Sequence, residues 1–467
     1  MARVGQVHPL PAVRASARAL LLLALVAASG CVAGPHWQFG RPVVPPPPPP
    51  FMVLELPGGP ARGLQSAVGD DGRAYVAAVQ PGDAGGAGAT VAGVWTASGN
   101  LSAWHGPAAV AADVGADAVT LAAGGGVVWL VARETPSPAG DTCIAVTPLA
   151  GNGTGDTSAC PVRSDWDRPS ATVDEGGQLF VLEGPAAAPS PQGAKLLGTT
   201  KADESGCCGS ALEPQLARRD DQARMVYGPI QKRDGFAQTL VWEVAAGDPS
   251  STVGPEVLHE AGLVNGQPFG FVTDLFANDP PGEGRPALAL APDPHISPGY
   301  AGIAAWTTRP PQGREGPPPP THLHAERFGP YSWWGLPFVL DGNGTNAMPA
   351  AAARDGHVAV VWLHSDAAAN PAHVGPDATW SLRLWEDGQT WTLDADVHHG
   401  PLCVAFLGTP CPGPSPDGDL GGLLGLSMAP GGRTVAAYCA DGNGLPAGWC
   451  QPKVALGHPS PHRSPHP

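Results

Sequence analysis

Residues 348–362 read MPAAAARDGHVAVVW, and residues 379–393 read TWSLRLWEDGQTWTL. Each is a pair of apolar runs around a central Asp-Gly. Asp-Gly supplies the positive φ that a tight antiparallel turn demands. The flanking Val, Ala, Leu and Trp suit packed strands, so each stretch predicts a β-hairpin. Two hairpins in succession give four antiparallel strands, the unit from which radial all-β folds are built.

The first of these hairpins recurs along the chain. Related copies are LQSAVGDDGRAYVAAV (64–79), ADAVTLAAGGGVVWLVA (116–132), PSATVDEGGQLFVLE (169–183) and PQLARRDDQARMVYGPI (214–230). RPALALAPDPHISPGYAGIAAW (285–306) and GLSMAPGGRTVAAYC (425–439) bring the number to seven, spaced about 60 residues apart. Second hairpins follow at GVWTASGNLSAWHG (93–106) and TLVWEVAAGDPSSTV (239–253). The expectation is an all-β chain: a β-propeller of four-stranded antiparallel blades, seven in number with six as the alternative. A set of β-sandwiches is the competing architecture. FMVLEL (51–56) has no hairpin partner nearby. It is expected to be buried on both faces and to close the ring by pairing with the blade that contains 425–439. Residues 184–212, 245–284 and 310–346 are expected to be long irregular connections, the segments that usually carry function.

LWEDGQTW (Leu384 to Trp391) resembles the Asp-box, a turn motif of sialidases and related propellers. Gly388, Thr390 and Trp391 match, Glu386 stands in the Asp position, and Leu384 replaces Ser. In that family the box is a structural turn away from the active centre, so the resemblance implies fold and not catalysis. Sialidase chemistry would require three arginines, a Tyr–Glu nucleophile pair and an acid–base Asp. Arg168, Arg285 and Arg354 lie at the starts or turns of hairpins, while Tyr75, Tyr227 and Tyr438 read as hairpin core.

The N-terminus points to export. Arg3, Arg14 and Arg18 precede the apolar run ALLLLALVAA (19–28), too short to span a bilayer as a stable helix. Ser29, Gly30 and Cys31 follow, and the segment resembles the bacterial lipobox, in which the Cys thiol carries diacylglycerol. The alternative is an ordinary secretory signal cut near Ser29. PVVPPPPPP (42–50) predicts an extended polyproline spacer. The expected organisation is a lipoprotein signal peptide (1–30), lipidated Cys31 with a Pro-rich spacer (31–50), the propeller (51–456) and a disordered His/Pro tail (457–467). The expected location is the cell envelope, lipid-anchored and facing outside the cytoplasm. A formal charge of −16 should repel nucleic acid.

Eight cysteines remain beyond Cys31. In an oxidising compartment their spacing predicts the disulfides Cys143–Cys160, Cys403–Cys411 and Cys439–Cys450, with Cys207 and Cys208 either a vicinal disulfide or free thiols. SPDGDLGG (415–422) offers Asp417 and Asp419 as weak calcium ligands, and DGNG recurs at 341–344 and 441–444. Asp-Gly and Asn-Gly are first of all turn formers. His398-His399 and His322-x-His324 are the candidate transition-metal pairs, more simply read as exposed histidines. No Gly-x-Ser-x-Gly, P-loop, HExxH or dinucleotide fingerprint is present. The sequence therefore points to a non-catalytic binding or scaffold module for a protein or glycan partner, with no catalytic residues and no obligatory cofactor. A sialidase-like or other carbohydrate-active hydrolase or lyase is the alternative.

Overall fold

Tight glycine turns fold the chain into successive antiparallel meanders. The computed structural model describes residues 51–82, 90–112, 114–134, 142–150, 157–162, 170–173, 179–183, 195–198, 224–233, 236–245, 257–264, 267–275, 287–293, 300–308, 319–328, 336–402, 424–442, 445 and 449–457. The first strand, β1, spans Met52–Glu55. A first sheet follows, from β2 (Arg62–Val68), β3 (Ala74–Pro81), β4 (Thr90–Ala97) and β5 (Trp104–Ala112). The second holds β6 (Val114–Gly124), β7 (Val127–Glu134), β8 (Thr142–Ala150) and β9 (Thr157–Val162). The third shows three strands, β10 (Ser170–Val173), β11 (Leu179–Glu183) and β12 (Lys195–Gly198). The fourth contains β13 (Arg224–Arg233), β14 (Phe236–Ala245), β15 (Val257–Val264) and β16 (Gln267–Leu275). The fifth contains β17 (Ala287–Pro292), β18 (Tyr300–Thr308), β19 (His322–Phe328) and β20 (Phe338–Asp341). The sixth contains β21 (Thr345–Arg354), β22 (His357–Ser365), β23 (Thr379–Glu386) and β24 (Gln389–His399). The last sheet runs β25 (Leu424–Met428), β26 (Thr434–Ala440), β27 (Gln451–Leu456) and then β1, which pairs antiparallel with β27 from Met52↔Leu456 to Glu55↔Lys453.

First strands of successive sheets pack against one another, from β2 on β6 through to β21 on β25, and β25 lies against β2. This is the architecture of a β-propeller. Crowding along these inner strands explains their Ala and Gly content. A Cβ on Gly425 of β25 would fall 2.5 Å from the Ser66 amide nitrogen on β2, so only glycine allows that approach. Farther out, Trp95, Trp362 and Trp380 are fully buried. Their indole N–H groups donate to the Pro57 carbonyl (2.7 Å), Asn346 Oδ1 (3.0 Å) and the Gly400 carbonyl (2.8 Å). A buried indole fills a sheet-to-sheet seam without cost only when its N–H is satisfied in this way.

The hairpins at 64–79, 93–106, 116–132, 169–183, 285–306, 348–362, 379–393 and 425–439 are where the repeat places them. The fourth copy is not. The repeat expects its turn at Asp220-Asp221. The pairing is instead between β13 and β14, from Arg224↔Val244 to Arg233↔Phe236, and TLVWEVA belongs to β14 rather than opening a second hairpin. The stretches 184–212, 245–284 and 310–346 likewise carry β12, β15, β16, β19 and β20. Outer strands such as HLHAERF mix polar with apolar residues, which hides them from a search for apolar runs. β1 is also corrected: Met52 and Val53 are 47% and 38% exposed, because β1 is the outermost strand of its sheet, while Leu56 just beyond it is core.

One predicted disulfide is present, Cys439–Cys450, joining the end of β26 to the start of β27. Cys143 and Cys160 lie on the paired strands β8 and β9, where Thr142↔Val162 and Ile144↔Ala159 bracket them in register. Cys31, Cys207, Cys208, Cys403 and Cys411 lie outside the described residues. Cys450→Ser is expected to lower stability by about 3 kcal/mol, the loop-closure entropy of so short a crosslink. Denaturant unfolding with and without reductant measures it, and equal midpoints would remove the bond's stabilising role.

Candidate functional site

Connections between strands leave the sheets at two ends. First-to-second connections occupy 69–73, 125–126, 174–178, 234–235, 293–299, 355–356 and 429–433. Second-to-third connections, which leave from the opposite end, occupy 82–89, 135–141, 184–194, 246–256, 309–321, 366–378 and 441–450. Charged and aromatic groups gather there, at three adjacent seams.

Between the fifth and sixth sheets, Asp341 ends β20 and starts the first DGNG turn. Its Oδ1 accepts from the Asn343 amide at 3.1 Å, the side-chain-to-backbone bond that makes Asp a turn former. Its Oδ2 lies 2.9 Å from Arg383 Nη1, 3.1 Å from His364 Nδ1 and 3.3 Å from Trp362 Nε1. Asn346 fixes the other side: its Oδ1 sits 3.0 Å from His364 Nδ1, and its Nδ2 donates to the Asp341 and Thr321 carbonyls at 3.2 Å. His364 Nε2 faces Asp366 Oδ1 at 3.0 Å. His364 is 2% exposed, whereas Asp366 stands 96% in solvent. Burial alone would raise the Asp341 pKa. The hydrogen bonds from His364 and the Asn343 amide, with the charges of His364 and Arg383, outweigh it and hold the carboxyl below its ordinary range.

The next seam repeats the device with the partners exchanged. Asp441 begins the second DGNG after β26, and His398 lies on β24. His398 Nδ1 is 2.5 Å from Asp441 Oδ1, and the His399 amide donates to Asp441 Oδ2 at 2.9 Å. Burial opposes ionisation of Asp441, but the His398 hydrogen bond and charge, then the His399 amide and charge, lower its pKa. At the third seam, Ala61 bridges Cys450, and the Arg62 guanidinium stacks 4.7 Å from the Trp449 ring.

Both DGNG aspartates thus have a histidine partner, His364 for Asp341 and His398 for Asp441. His398 and His399 both serve Asp441. His322 and His324 project from the same side of β19, with the His324 ring 6.3 Å from that of Trp306. Tyr75 and Tyr438 are buried, as the hairpin reading requires. The Tyr438 hydroxyl also donates to Asp394 Oδ2 at 2.7 Å, and burial together with this bond pushes its pKa up. Tyr227 lies on β13. Arg354 sits at the other end of the molecule, at the tip of β21. It donates to the Val68 and Met428 carbonyls (3.3 and 3.4 Å) and pairs with Asp70 at 3.0 Å, tying three sheets together. Arg168, Arg285, Asp417 and Asp419 lie outside the described residues.

Glu386, Gly388, Thr390 and Trp391 surround the β23–β24 turn at the same end as Arg354. Asp387 (φ 46°) and Gly388 (φ 92°) both take the left-handed conformation of a two-residue hairpin turn. Trp391 packs edge-on against Phe51 at 5.9 Å.

No protein-family model and no curated protein matches this chain. Among solved structures it is similar in fold to a polysaccharide lyase of family PL25, an ulvan lyase bound to its oligosaccharide. That likeness has a TM-score of 0.49 at 9% identity and covers 87% of this chain and 96% of the lyase. It is also similar to the endosialidase of phage phi92, with a TM-score of 0.47 at 7% identity over 88% and 70% of the two chains. The β-propeller domain of the Trilobed protease from Pyrococcus furiosus gives a TM-score of 0.41 at 8% identity over 81% and 91%. At such scores the ligands and reactions of these proteins do not transfer to this chain.

Proposed function

We propose that this chain is an exported lipoprotein, anchored through Cys31, whose propeller is a non-catalytic module that binds a protein or glycan partner. The observation that carries the reading is the gathering of the Asp341, Asp441 and Arg62–Trp449 clusters at one end of the sheets. The Asp341 and Asp441 carboxylates there are engaged by histidine, arginine and backbone amides, an arrangement that suits a rigid frame better than proton transfer. The seven sheets are the blades of one ring, and β1 supplies the fourth strand that closes it. The proline spacer 42–50 stands this body off the membrane.

Cys31→Ser is expected to move the protein from the membrane fraction to the soluble fraction. Intact-mass analysis of the wild type should place the mature N-terminus at a diacylglycerol-bearing Cys31, and any other N-terminus refutes the anchor. The non-catalytic part is tested by incubation with neutral and acidic polysaccharides. Steady release of reducing ends or unsaturated products would replace it with a carbohydrate-active enzyme.

A further inference from the structure

The end of the molecule with the tight turns holds a group of side chains that this binding reading does not use. His357 opens β22, Glu386 closes β23, and Asp387 is the first residue of the Asp-box-like turn. One ligand-type atom from each lies within 4.8 Å of the others. We propose that His357, Glu386 and Asp387 form a binding site for a first-row divalent transition-metal ion of the zinc type.

Three features of geometry and chemistry support it. First, His357 Nδ1 and Asp387 Oδ2 are 2.9 Å apart. Nitrogen and oxygen ligands about 2.0–2.2 Å from a tetrahedral metal ion are separated by about 3.4 Å, so the pair needs to open by only about half an ångström to admit one. A metal ion would take the place of the proton that the two atoms share. Second, the Asp387 carboxylate is oriented from behind: Arg327 Nη2 holds Oδ1 at 3.5 Å, leaving Oδ2 to face His357. The Arg327 guanidinium is itself 5.8 Å from the Trp385 ring centroid. A support of this kind on the far oxygen is how outer-shell groups aim a ligand. Third, Glu386 is only 4% exposed, while His357 and Asp387 are 27% and 30% exposed. The site is anchored in the sheet on one side and open to solvent on the other, where water would complete the coordination.

One imidazole with two carboxylates selects the class of ion. Calcium takes six to eight oxygens and magnesium keeps most of its water, whereas imidazole with carboxylate suits zinc and its neighbours. Glu386 is also, with Leu384, one of the two residues by which this turn departs from the Asp-box pattern. Its longer side chain puts a carboxylate one carbon farther out, beside the Asp387 carboxylate.

The test is calorimetric titration of the full chain with Zn²⁺. His458, His462 and His466 are replaced by alanine in every sample, because the tail could bind zinc by itself. One equivalent is expected to bind with micromolar affinity. His357→Ala, Glu386→Gln and Asp387→Asn are each expected to weaken it about tenfold or more, with unchanged far-ultraviolet circular dichroism. Ca²⁺ at the same concentrations should give no saturable heat. Absence of zinc binding in the parent, or undiminished binding in His357→Ala, overturns the proposal. If Glu386→Gln does not fold, His357→Ala and Asp387→Asn decide.

Discussion

Asp341→Ala should cost this protein about 3–5 kcal/mol of stability, one of the largest losses available from a single polar side chain. The size follows from what remains behind. Asp341 is nearly buried and His364 more so, and Arg383 is 25% exposed. Removing the carboxylate leaves a buried imidazole and a largely covered guanidinium without their counter-charge. It also frees the Asn343 amide, and with it the turn that leads into β21. Replacing Asp366, the solvent-exposed partner of His364, should change little, because an exposed ion pair contributes almost nothing. The pH dependence has a definite sign. The Asp341 pKa is depressed below its ordinary 3.8, so its contribution is complete above that value. It is lost as pH falls through the folded-state pKa. Wild type should therefore lose stability steeply below about pH 4, and Asp341→Ala less steeply in the same window. Denaturant midpoints from pH 2 to 7 measure both, and a loss under about 1 kcal/mol at neutral pH would show that the seam does not depend on this cluster.

Deleting residues 51–56 should be comparably harmful, and deleting 42–50 should not. The first deletion strips β1 from β27 and removes Leu56, which is 2% exposed in the core shared with Val454 and Leu426. It also takes away the Leu56 amide that donates to the Pro452 carbonyl at 3.0 Å. Burying a leucine contributes about 2–3 kcal/mol, and a cavity left behind adds to the loss. The edge of β27 is bared as well. Together these predict a loss of about 4 kcal/mol or more in equilibrium unfolding. Equal midpoints for the two deletions would mean that β1 does not close the ring. Leu56→Ala, expected to cost about 2–5 kcal/mol, probes the same seam in a chain of full length.

The strands that pack near the axis are legible in the sequence because small and β-branched residues around Asp-Gly or Gly-Gly encode both strand and turn. β21 and β22 follow that rule, as do β25 and β26. The outer strands are not legible. β15 (VLHEAGLV) and β19 (HLHAERF) mix polar with apolar residues, and their polar residues look like loop when read singly. The pairing of β13 with β14 is missed because the paired acids at 220–221 look like the stronger break. Within the candidate site, Asp341 and Asp441 are visible as the first residues of two DGNG segments. Their histidine partners are not, because His364 lies beyond Trp362 on the next sheet and His398 lies on the sheet before Asp441. Only the packing of sheets brings such pairs together. The LWEDGQTW turn is legible as a turn, but His357 joins it only through the pairing of β22 with β23, where Ala359 faces Glu386.

The last sheet draws strands from both ends of the polypeptide. A nascent chain that emerges N-terminus first presents Met52–Glu55 long before Gln451–Leu456 exists to receive it. During that interval the strand is an open edge carrying Met52 and Val53, the kind of surface that recruits another chain. Six sheets can be assembled in order as synthesis proceeds, but the seventh waits for the final residues of the domain. Maturation therefore ends in one late, long-range step, and a message cut short near its 3′ end would yield a product that is almost complete yet permanently adhesive.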